Sequence, residues 1–299
     1  MQILITGANG LLGQKLVELI PNHGHVLIAT SKGANRNQKG HYTYAQLDIT
    51  DRDAVLNCIE EHKPQVIINT AGMTNVDQCE SEKEACTKLN VDAVAYLAEA
   101  CSLNNVHLVH LSTDFIFDGE DGPYDENAQP NPLSFYGSSK LDGEKVLLSS
   151  DIKWSIARTV LVYGIVRQMS RSNIILWVKE SLENEKHLKI VDDQWRTPTL
   201  AEDLAIGCLL IAEKSAEGVY NISGKDLLTP YDMALMTAEH FGLDASLITK
   251  ADSTTFTQPA KRPAKTGFIL DKAKQTLGYD PRSFKEGLAE LGRQLALYS

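Results

Sequence analysis

Short apolar runs alternate with amphipathic segments through the first 160 residues. The runs are rich in Val, Ile and Leu without polar alternation, which is typical of parallel strands covered by helices on both faces. Strands are predicted at Gln2–Thr6, His25–Thr30, Tyr44–Leu47, Gln65–Asn69, Val106–Leu111 and Trp154–Thr159. Helices are predicted at Gly10–Ile20, Asp51–Glu61, Ser81–Ser102 and Ser134–Ser149. This order predicts an α/β fold with a doubly wound parallel sheet.

The pattern changes after Gly164. Helices are predicted at Arg167–Lys186, Ala201–Lys214 and Thr229–Phe241, strands at Lys189–Val191 and Val219–Ile222, and a loop at Ser253–Thr266. Capping side chains are expected from Thr50 or Asp51, from Ser81, and from Thr229 ahead of Pro230. We therefore assign residues 1–160 to a first domain, into which residues 199–225 thread back. Residues 161–198 and 226–299 form a smaller C-terminal α/β lobe that binds the substrate.

Composition narrows the classes of partner. The 299 residues carry a formal net charge of −10, which argues against nucleic acid or an anionic membrane as partner. The longest apolar stretch, Leu204–Ala212, is too short to span a bilayer. The chain enters its first strand directly, without a signal peptide, so we expect a cytoplasmic protein. Five cysteines without a CxxC pair predict neither a disulfide framework nor a zinc site.

A glycine-rich turn follows the first strand. Gly7, Gly10 and Gly13 lie between that strand and an amphipathic helix. Glycine allows the backbone to approach a pyrophosphate, and the helix start supplies free N–H groups and a positive dipole end. This context predicts a dinucleotide site of the Rossmann type. The cofactor contacts expected from this turn are Gly7, Asn9, Gly10, Leu11, Leu12 and Gly13.

The end of the second strand bears on which dinucleotide binds. No acidic residue stands there to bond a ribose 2′-hydroxyl, whereas Ser31, Lys32 and Arg36 suit a 2′-phosphate. NADPH is therefore favoured, with NADH as the alternative. Further cofactor contacts are expected after the third and fourth strands, at Asp48, Ile49, Ala71, Gly72 and Thr74.

A tyrosine and a lysine one helical turn apart supply the candidate chemistry. Tyr136 alone among the ten tyrosines has a lysine four residues later, Lys140, so the two share one helix face. A neighbouring ammonium favours the phenolate and makes the phenol a better proton donor. Thr113 is expected at the carboxyl edge of the sheet, where it bonds the substrate carbonyl oxygen. The predicted catalytic residues are Thr113, Tyr136 and Lys140, and Tyr136 and Lys140 also contact the cofactor.

These motifs together resemble a known family. The glycine turn and the segments Ser112–Gly119, Gly122–Tyr124 and Tyr136–Glu144 are similar to the extended short-chain dehydrogenase/reductase superfamily. Within it the chain most resembles the dTDP-4-dehydrorhamnose reductase family. The resemblance runs from Met1 to about Leu204 and includes the subgroup segments Asn75–Glu80, Arg158–Thr159 and Asp193–Thr199.

The resemblance implies NAD(P)H-dependent reduction of the 4-keto group of a dTDP-linked 6-deoxyhexose. Hydride comes from the nicotinamide and the proton from Tyr136, while Lys140 also holds the nicotinamide ribose. The substrate contacts it implies are Asn75, Val76, Asp77, Thr113, Asp114, Trp195, Arg196 and Arg262. Members of the family also bind Mg²⁺, for which this sequence assigns no ligands. A homodimer is a candidate assembly.

Departures from the family pattern leave other functions open. Leu161 stands where a substrate-packing Trp is usual, and Arg196 replaces a usual Gly. One alternative is a sugar-nucleotide epimerase or dehydratase, although a dehydratase has an acid pair at Asp114 and the next position, where this chain has Phe115. Another is a non-catalytic, NADP-binding regulatory subunit. A metal shared by His107 and His110 is disfavoured, because residues three apart on a strand face opposite sides.

Overall fold

The computed structural model describes residues 1–37, 40–169, 172–256 and 258–298 of the chain. The strands are β1 Gln2–Thr6, β2 Val26–Ser31, β3 Thr43–Gln46, β4 Val66–Asn69, β5 His107–Thr113, β6 Trp154–Thr159, β7 Val162–Tyr163, β8 Leu188–Val191, β9 Thr199–Leu200, β10 Gly218–Asn221 and β11 Ile248–Ala251. The helices are α1 Leu11–Asn22, α2 Arg52–His62, α3 Val76–Ser81, α4 Lys83–Thr87, α5 Ala93–Asn104, α6 Phe135–Leu148, α7 Ile174–Glu183, α8 Ala201–Glu213, α9 Pro230–Phe241 and α10 Phe284–Tyr298.

Seven parallel strands form the main sheet in the order β10-β6-β5-β4-β1-β2-β3. One apolar cluster packs α1 and α8 against one face, and a second packs α2 and α5 against the other. The strand order reverses between β1 and β4, where ligands bind at the carboxyl ends of the strands. The predicted doubly wound α/β fold is confirmed.

The last strand of this sheet comes from late in the sequence. β10 pairs with β6 in register from Gly218 with Ser155 to Asn221 with Arg158. Two small sheets, β7 with β9 and β8 with β11, lie beside helices α7, α9 and α10. The segment predicted to thread back thus contributes α8 and β10, and the division into two lobes stays an interpretation.

Several element boundaries differ from the predictions. The helix predicted at Arg167–Lys186 begins only at Ile174, where the Asn173 side chain accepts a hydrogen bond from the Leu176 N–H; residues 170 and 171 lie outside the described residues. The predicted Ser81–Ser102 helix is α4 and α5 joined by a π-helical turn at Lys88–Asp92. Ser81 does not cap it, since its hydroxyl donates to the Gln78 carbonyl. Helices α3 and α10 were not predicted.

Other local predictions are confirmed. Asp51 caps α2 by accepting a hydrogen bond from the Ala54 N–H. Thr229 and Asp232 form a capping box at the start of α9, with Pro230 at the first helical position. Within the described ranges, no helix combines the length and apolar character that a membrane crossing requires.

Candidate active site

The glycine turn between β1 and α1 is tightly packed. Gly7 has φ +70°, and a Cβ there would lie 2.7 Å from Thr70 Oγ1 and 2.9 Å from the Ala71 nitrogen. A Cβ on Gly13 would lie 2.2 Å from the Gly7 carbonyl oxygen. Helix α1 starts after Gly10 with no capping side chain. Its first N–H groups therefore remain available to an anionic ligand.

A cavity of about 400 Å³ adjoins this helix start. Its walls are formed by the turn after β1, the loop after β2 and the segment near residue 168, and its lining residues are Asn9, Gly10, Ser31, Gly33, Ala34, Asn35, Arg36 and Gln168. The Arg36 N–H donates to Asn9 Oδ1 at 2.9 Å, and the Arg36 guanidinium donates to the Gln168 carbonyl at 3.2 Å. Two of the three residues predicted to meet a 2′-phosphate, Ser31 and Arg36, thus line one cavity.

Lys32 is placed differently. Its side chain is 80% exposed, and its amine lies 2.8 Å from Asp48 Oδ2. Asp48 also accepts hydrogen bonds from the N–H and hydroxyl of Thr50. The bonds from Lys32 and Thr50 outweigh the effect of burial and lower the pKa of Asp48 to about 2. Lys32 and Asp48 are therefore paired with each other, and the expected contact of Lys32 with a 2′-phosphate stays a prediction.

The predicted catalytic residues come together where β5 ends. Thr113 is the last residue of β5, and Tyr136 and Lys140 lie one turn apart on α6; all three are buried. Ser134 begins this helix by accepting a hydrogen bond from the Gly137 N–H at 3.2 Å. A Cβ on Gly137 would lie 2.1 Å from the Phe115 carbonyl oxygen. Glycine at this position thus lets α6 approach the end of β5 closely.

Burial shapes the electrostatics of this group. It raises the pKa of Tyr136, while the hydrogen bond with the Thr113 side chain acts in the opposite direction. Burial also lowers the pKa of Lys140 to about 8, against the opposing effects of Glu144 and Cys86. A phenol and an amine of shifted acidity in a dry site are suited to proton transfer, once a ligand stabilises the phenolate.

Asp114 lies directly behind Thr113. Its carboxylate accepts hydrogen bonds from the hydroxyls of Thr113 and Thr266, and Arg196 Nε lies 3.9 Å away. Burial raises the pKa of Asp114, and the Arg196 charge and these hydrogen bonds oppose that rise. The hydrogen bond to Asp114 thereby fixes the orientation of the Thr113 hydroxyl.

Arg196 is buried beneath the segment that carries Thr266. Its guanidinium donates to the carbonyls of Trp195 and Pro263, both at 2.7 Å. These donors are bonded to backbone carbonyls, and the expected contact of Arg196 with the substrate stays a prediction.

The remaining predicted substrate contacts lie on α3, in the loop before β9 and in the loop that carries Arg262. Asn75 caps α3 by accepting a hydrogen bond from the Gln78 N–H, and Val76 is the first residue of that helix. Arg262 donates to Asp77 Oδ2 at 2.8 Å, and the Ala260 N–H donates to Asp77 Oδ1 at 3.2 Å. The Trp195 side chain is 39% exposed. Two predicted contacts, Asp77 and Arg262, thus pair with each other.

A comparison with known proteins identifies the family. The model of the RmlD substrate binding domain matches residues 1–297. The chain belongs to this family. It is 32% identical over 302 residues to dTDP-4-dehydrorhamnose reductase from Aggregatibacter actinomycetemcomitans, with 97% of this chain and 98% of that protein covered. The recognition of the dTDP-4-dehydrorhamnose reductase family is therefore confirmed.

Two further RmlD-family relatives bear on function. Methionine adenosyltransferase 2 subunit beta from Pongo abelii is 32% identical, with 97% of this chain and 86% of that protein covered. The crystal structure of dTDP-4-dehydrorhamnose reductase from Bacillus anthracis in complex with NADP is 26% identical, with a TM-score of 0.88 and coverage of 98% of this chain and 99% of that chain. The family thus includes both a reductase and a protein named as a subunit of another enzyme.

The structure adds residues that sequence reasoning missed. Asn90, in the π-helical turn, accepts a hydrogen bond from the Met73 N–H at 2.8 Å and donates to Ser139 Oγ at 3.0 Å. It thereby ties the loop after β4 to helix α6. Among the described residues, the buried hydroxyl of Ser112 has no hydrogen-bond partner. A buried hydroxyl without a partner, next to Thr113 in the chain, suits a contact to a ligand.

A metal site has no such support. In the described ranges, no group of three or more His, Cys, Asp or Glu side chains is arranged to hold an ion. His107 bonds Ser155 and His110 lies beside Lys140, so the two histidines are separated as the strand pattern predicts. The Mg²⁺ that the resemblance implied thus has no such ligand group among these residues.

Proposed function

We propose that this protein reduces the 4-keto group of a dTDP-linked 6-deoxyhexose with NADPH. The observation that carries the proposal is the buried trio Thr113, Tyr136 and Lys140 at the carboxyl edge of the sheet. The uncapped start of α1 and its adjoining cavity lie at the same edge and fit a dinucleotide phosphate. The family relationship to dTDP-4-dehydrorhamnose reductase supports the substrate class.

The chain's own residues supply binding and proton transfer. When bound, the reduced nicotinamide supplies the hydride. The single hydroxyl proton of Thr113, which Asp114 accepts in the structure, turns to the substrate carbonyl oxygen when the sugar binds and polarises it. Tyr136 gives its phenolic proton to that oxygen as the hydride adds to carbon, so the ketone becomes an alcohol. The Lys140 ammonium stabilises the resulting phenolate until Tyr136 regains a proton.

The cavity beside Arg36 supports NADPH over NADH. A guanidinium matches a phosphate with two parallel hydrogen bonds, and Ser31 supplies a hydroxyl in the same cavity. The NADP complex of the Bacillus anthracis relative supports the same cofactor. The substrate side is formed by α3 and by the loop with Arg262, where a diphosphate competes with Asp77 for the guanidinium.

Turnover is tested by following the absorbance of reduced nicotinamide. The purified protein is mixed with NADPH and dTDP-4-keto-6-deoxyhexose, with the corresponding UDP sugar as a parallel substrate. We expect stoichiometric NADPH oxidation with the dTDP sugar. A chain that retains cofactor through purification and consumes no added NADPH fits the epimerase or dehydratase alternative instead.

The role of Tyr136 gives the first prediction. Tyr136→Phe removes the proton donor and keeps the ring, so kcat should fall at least about 10²-fold with little change in NADPH affinity. Tyr220→Phe makes the same change in β10, in the core away from the site, and should leave kcat within about 2-fold. Equal rates for the two variants would contradict the assignment of Tyr136 as the acid.

A subunit role is the second candidate. It is favoured by the match to methionine adenosyltransferase 2 subunit beta, which covers 97% of this chain. An intact catalytic trio gives this reading no support. The two functions are separated by assaying turnover and by asking whether a partner protein co-purifies at fixed stoichiometry; a partner without turnover on any sugar nucleotide favours the subunit.

A further inference from the structure

A row of polar side chains crosses three neighbouring strands beneath the catalytic lysine. Thr6 of β1 pairs in register with Asn69 of β4, which pairs with His110 of β5. Thr6 Oγ1 lies 2.6 Å from Asn69 Oδ1, and Asn69 Nδ2 lies 3.0 Å from His110 Nδ1. His110 Nε2 then lies 3.2 Å from Lys140 Nζ. The row ends on the amine assigned above to catalysis.

The row is sealed from solvent. Thr6 and Asn69 are 0% exposed and His110 is 1% exposed, so their polar atoms must find partners among buried neighbours rather than in water. A Cβ on Gly143 of α6 would lie 3.6 Å from His110 Nε2 and 2.5 Å from the Asn90 carbonyl oxygen. Glycine at this position brings α6 down onto the histidine.

The charged and titratable groups around the amine are few. Two such groups act on the Lys140 amine, Glu144 from α6 and Cys86 from α4, and both raise its pKa. Glu144 is itself paired with Arg158 of β6, through contacts of 3.0 and 2.7 Å. Among the described residues, His110 is the one hydrogen-bond partner of the Lys140 amine. Burial, and then the charge of Lys140, lower the pKa of His110 well below its usual value, so the imidazole is neutral.

Counting donors shows what a neutral imidazole does here. It has one N–H and one acceptor nitrogen. When Lys140 is an ammonium, it donates to His110 Nε2. The proton of the neutral ring then lies on Nδ1, which must donate to the side-chain amide oxygen of Asn69. When Lys140 is a neutral amine, Nε2–H donates to Nζ, and Nδ1 accepts from the Asn69 amide. Both arrangements use the same atom positions, with the Asn69 amide turned over and the Thr6 hydroxyl rotated to match.

We propose that His110 is a positioning residue for Lys140, and that the row Thr6–Asn69–His110 adapts its hydrogen bonds to either charge of the amine. The row also reaches the cofactor side, because Thr6 Oγ1 accepts a hydrogen bond from the Ala71 N–H and Gly7 follows Thr6 directly. Lys140 is thereby held in place, and both imidazole nitrogens of His110 keep a hydrogen-bond partner when a proton leaves or returns to the amine.

The first test needs neither cofactor nor substrate. Protein with ¹⁵N-labelled histidine is titrated by NMR, with His110→Gln identifying the His110 signals. We expect a neutral ring from about pH 6 to 10, whose Nδ1 and Nε2 shifts exchange tautomer character with a midpoint near 8, where Lys140 titrates. Lys140→Met should abolish that change. A ring that becomes charged near about pH 6.5, or shifts that ignore Lys140, would overturn the proposal.

The second test rests on the proposed function and compares His110→Gln with His110→Phe. Glutamine can place an amide oxygen near the Nε2 position, whereas phenylalanine keeps the volume without an acceptor. Loss of the acceptor destabilises the ammonium, so the pH above which kcat falls should drop by about one unit in His110→Phe. Its kcat should therefore fall about 2-fold at pH 7 and about 10-fold at pH 9, with NADPH affinity little changed, while His110→Gln stays near the parent.

The outcomes of the two tests are separable. Identical pH profiles for the parent and a folded His110→Phe variant would overturn the positioning role, whatever their thermal stability. If His110→Phe does not fold, His110→Asn replaces it, because asparagine can still reach Asn69 and is too short to reach Lys140. If no variant turns over a sugar nucleotide, the proposed function fails, and the NMR titration still decides the role of His110.

Discussion

Arg36 and Lys32 are equally good candidates for a phosphate contact in the sequence, but the structure gives them different surroundings. Both follow β2, where a 2′-phosphate is expected. Arg36 lines the cavity beside the start of α1, whereas Lys32 is paired with Asp48 and largely exposed. Asp48 follows β3 in the chain. The two cations therefore acquire their separate roles only when β2 packs against β3.

This assignment predicts which cation selects the cofactor. Arg36→Ala should raise the KM for NADPH about 10-fold and leave that for NADH within about 2-fold, because hydrogen bonds to a charged phosphate contribute roughly 1.5–3 kcal/mol. Lys32→Ala is the matched control and should change either KM less than about 3-fold. Steady-state kinetics with both cofactors measure the difference, and a larger effect at Lys32 would refute it.

At the scale of helices and strands, the site is shaped by backbone segments that approach one another closely. Glycines at positions 7, 13, 137 and 143 bring α1 and α6 against neighbouring backbone at the carboxyl edge of the sheet. The π-helical turn between α4 and α5 adds Asn90 to that edge, as such turns do at functional sites. Helical periodicity predicts the helix but not the turn, since the irregular spacing arises from contacts with the loop after β4.

A substitution at Gly7 tests whether this close approach matters for stability and cofactor binding. Gly7→Ala places a Cβ within 3 Å of Thr70 and Ala71 at φ +70°, so it should cost about 2–3 kcal/mol of unfolding free energy. It should also weaken NADPH binding at least about 10-fold, because the turn must shift. Gly24→Ala has a similar φ of +77° and nothing within 4 Å; it should cost only about 1 kcal/mol and leave binding unchanged.

The measurements are urea unfolding and calorimetric titration with NADPH. If both variants lost cofactor affinity equally, general destabilisation rather than crowding at the turn would be the cause. If neither did, the turn would have no part in cofactor binding.

Distant segments of the chain meet at the scale of the whole molecule. Lys15 of α1 is buried, with Glu202 of α8 at 2.7 Å and Gln294 of α10 at 3.0 Å. This cluster joins the helix that starts at the glycine turn to the returning segment and to the C-terminal helix. Docking of α10 is thereby linked to the phosphate-binding end of the sheet.

Breaking the cluster should therefore destabilise the entire fold. Glu202→Gln leaves the Lys15 charge buried without a counter-ion, so the free energy of unfolding should fall by about 2 kcal/mol. Glu183→Gln removes an ion pair with Lys179 on an exposed helix face and should cost less than about 0.5 kcal/mol. Urea denaturation compares them, and equal losses would show that the buried cluster contributes no more than a surface pair.

Local patterns were sufficient to predict much of this protein. Apolar runs, the glycine turn and the Tyr136–Lys140 spacing each depend on residues close together in the chain. They predicted the parallel sheet, which the structure confirms, and a catalytic group that stays a proposal. Capping at Asp51 and Thr229 was equally local.

The homodimer stays a prediction, for which light scattering is the measurement.

What the tertiary structure alone decided involves partners far apart in the sequence. Asp77 and Arg262 are 185 positions apart and pair with each other, and Arg196 donates to carbonyls at and near Pro263. His110 meets Lys140 because a strand and a helix pack face to face. The sequence shows which side chains can donate or accept; which partner each one finds depends on distances that exist only after the strands have assembled and excluded water.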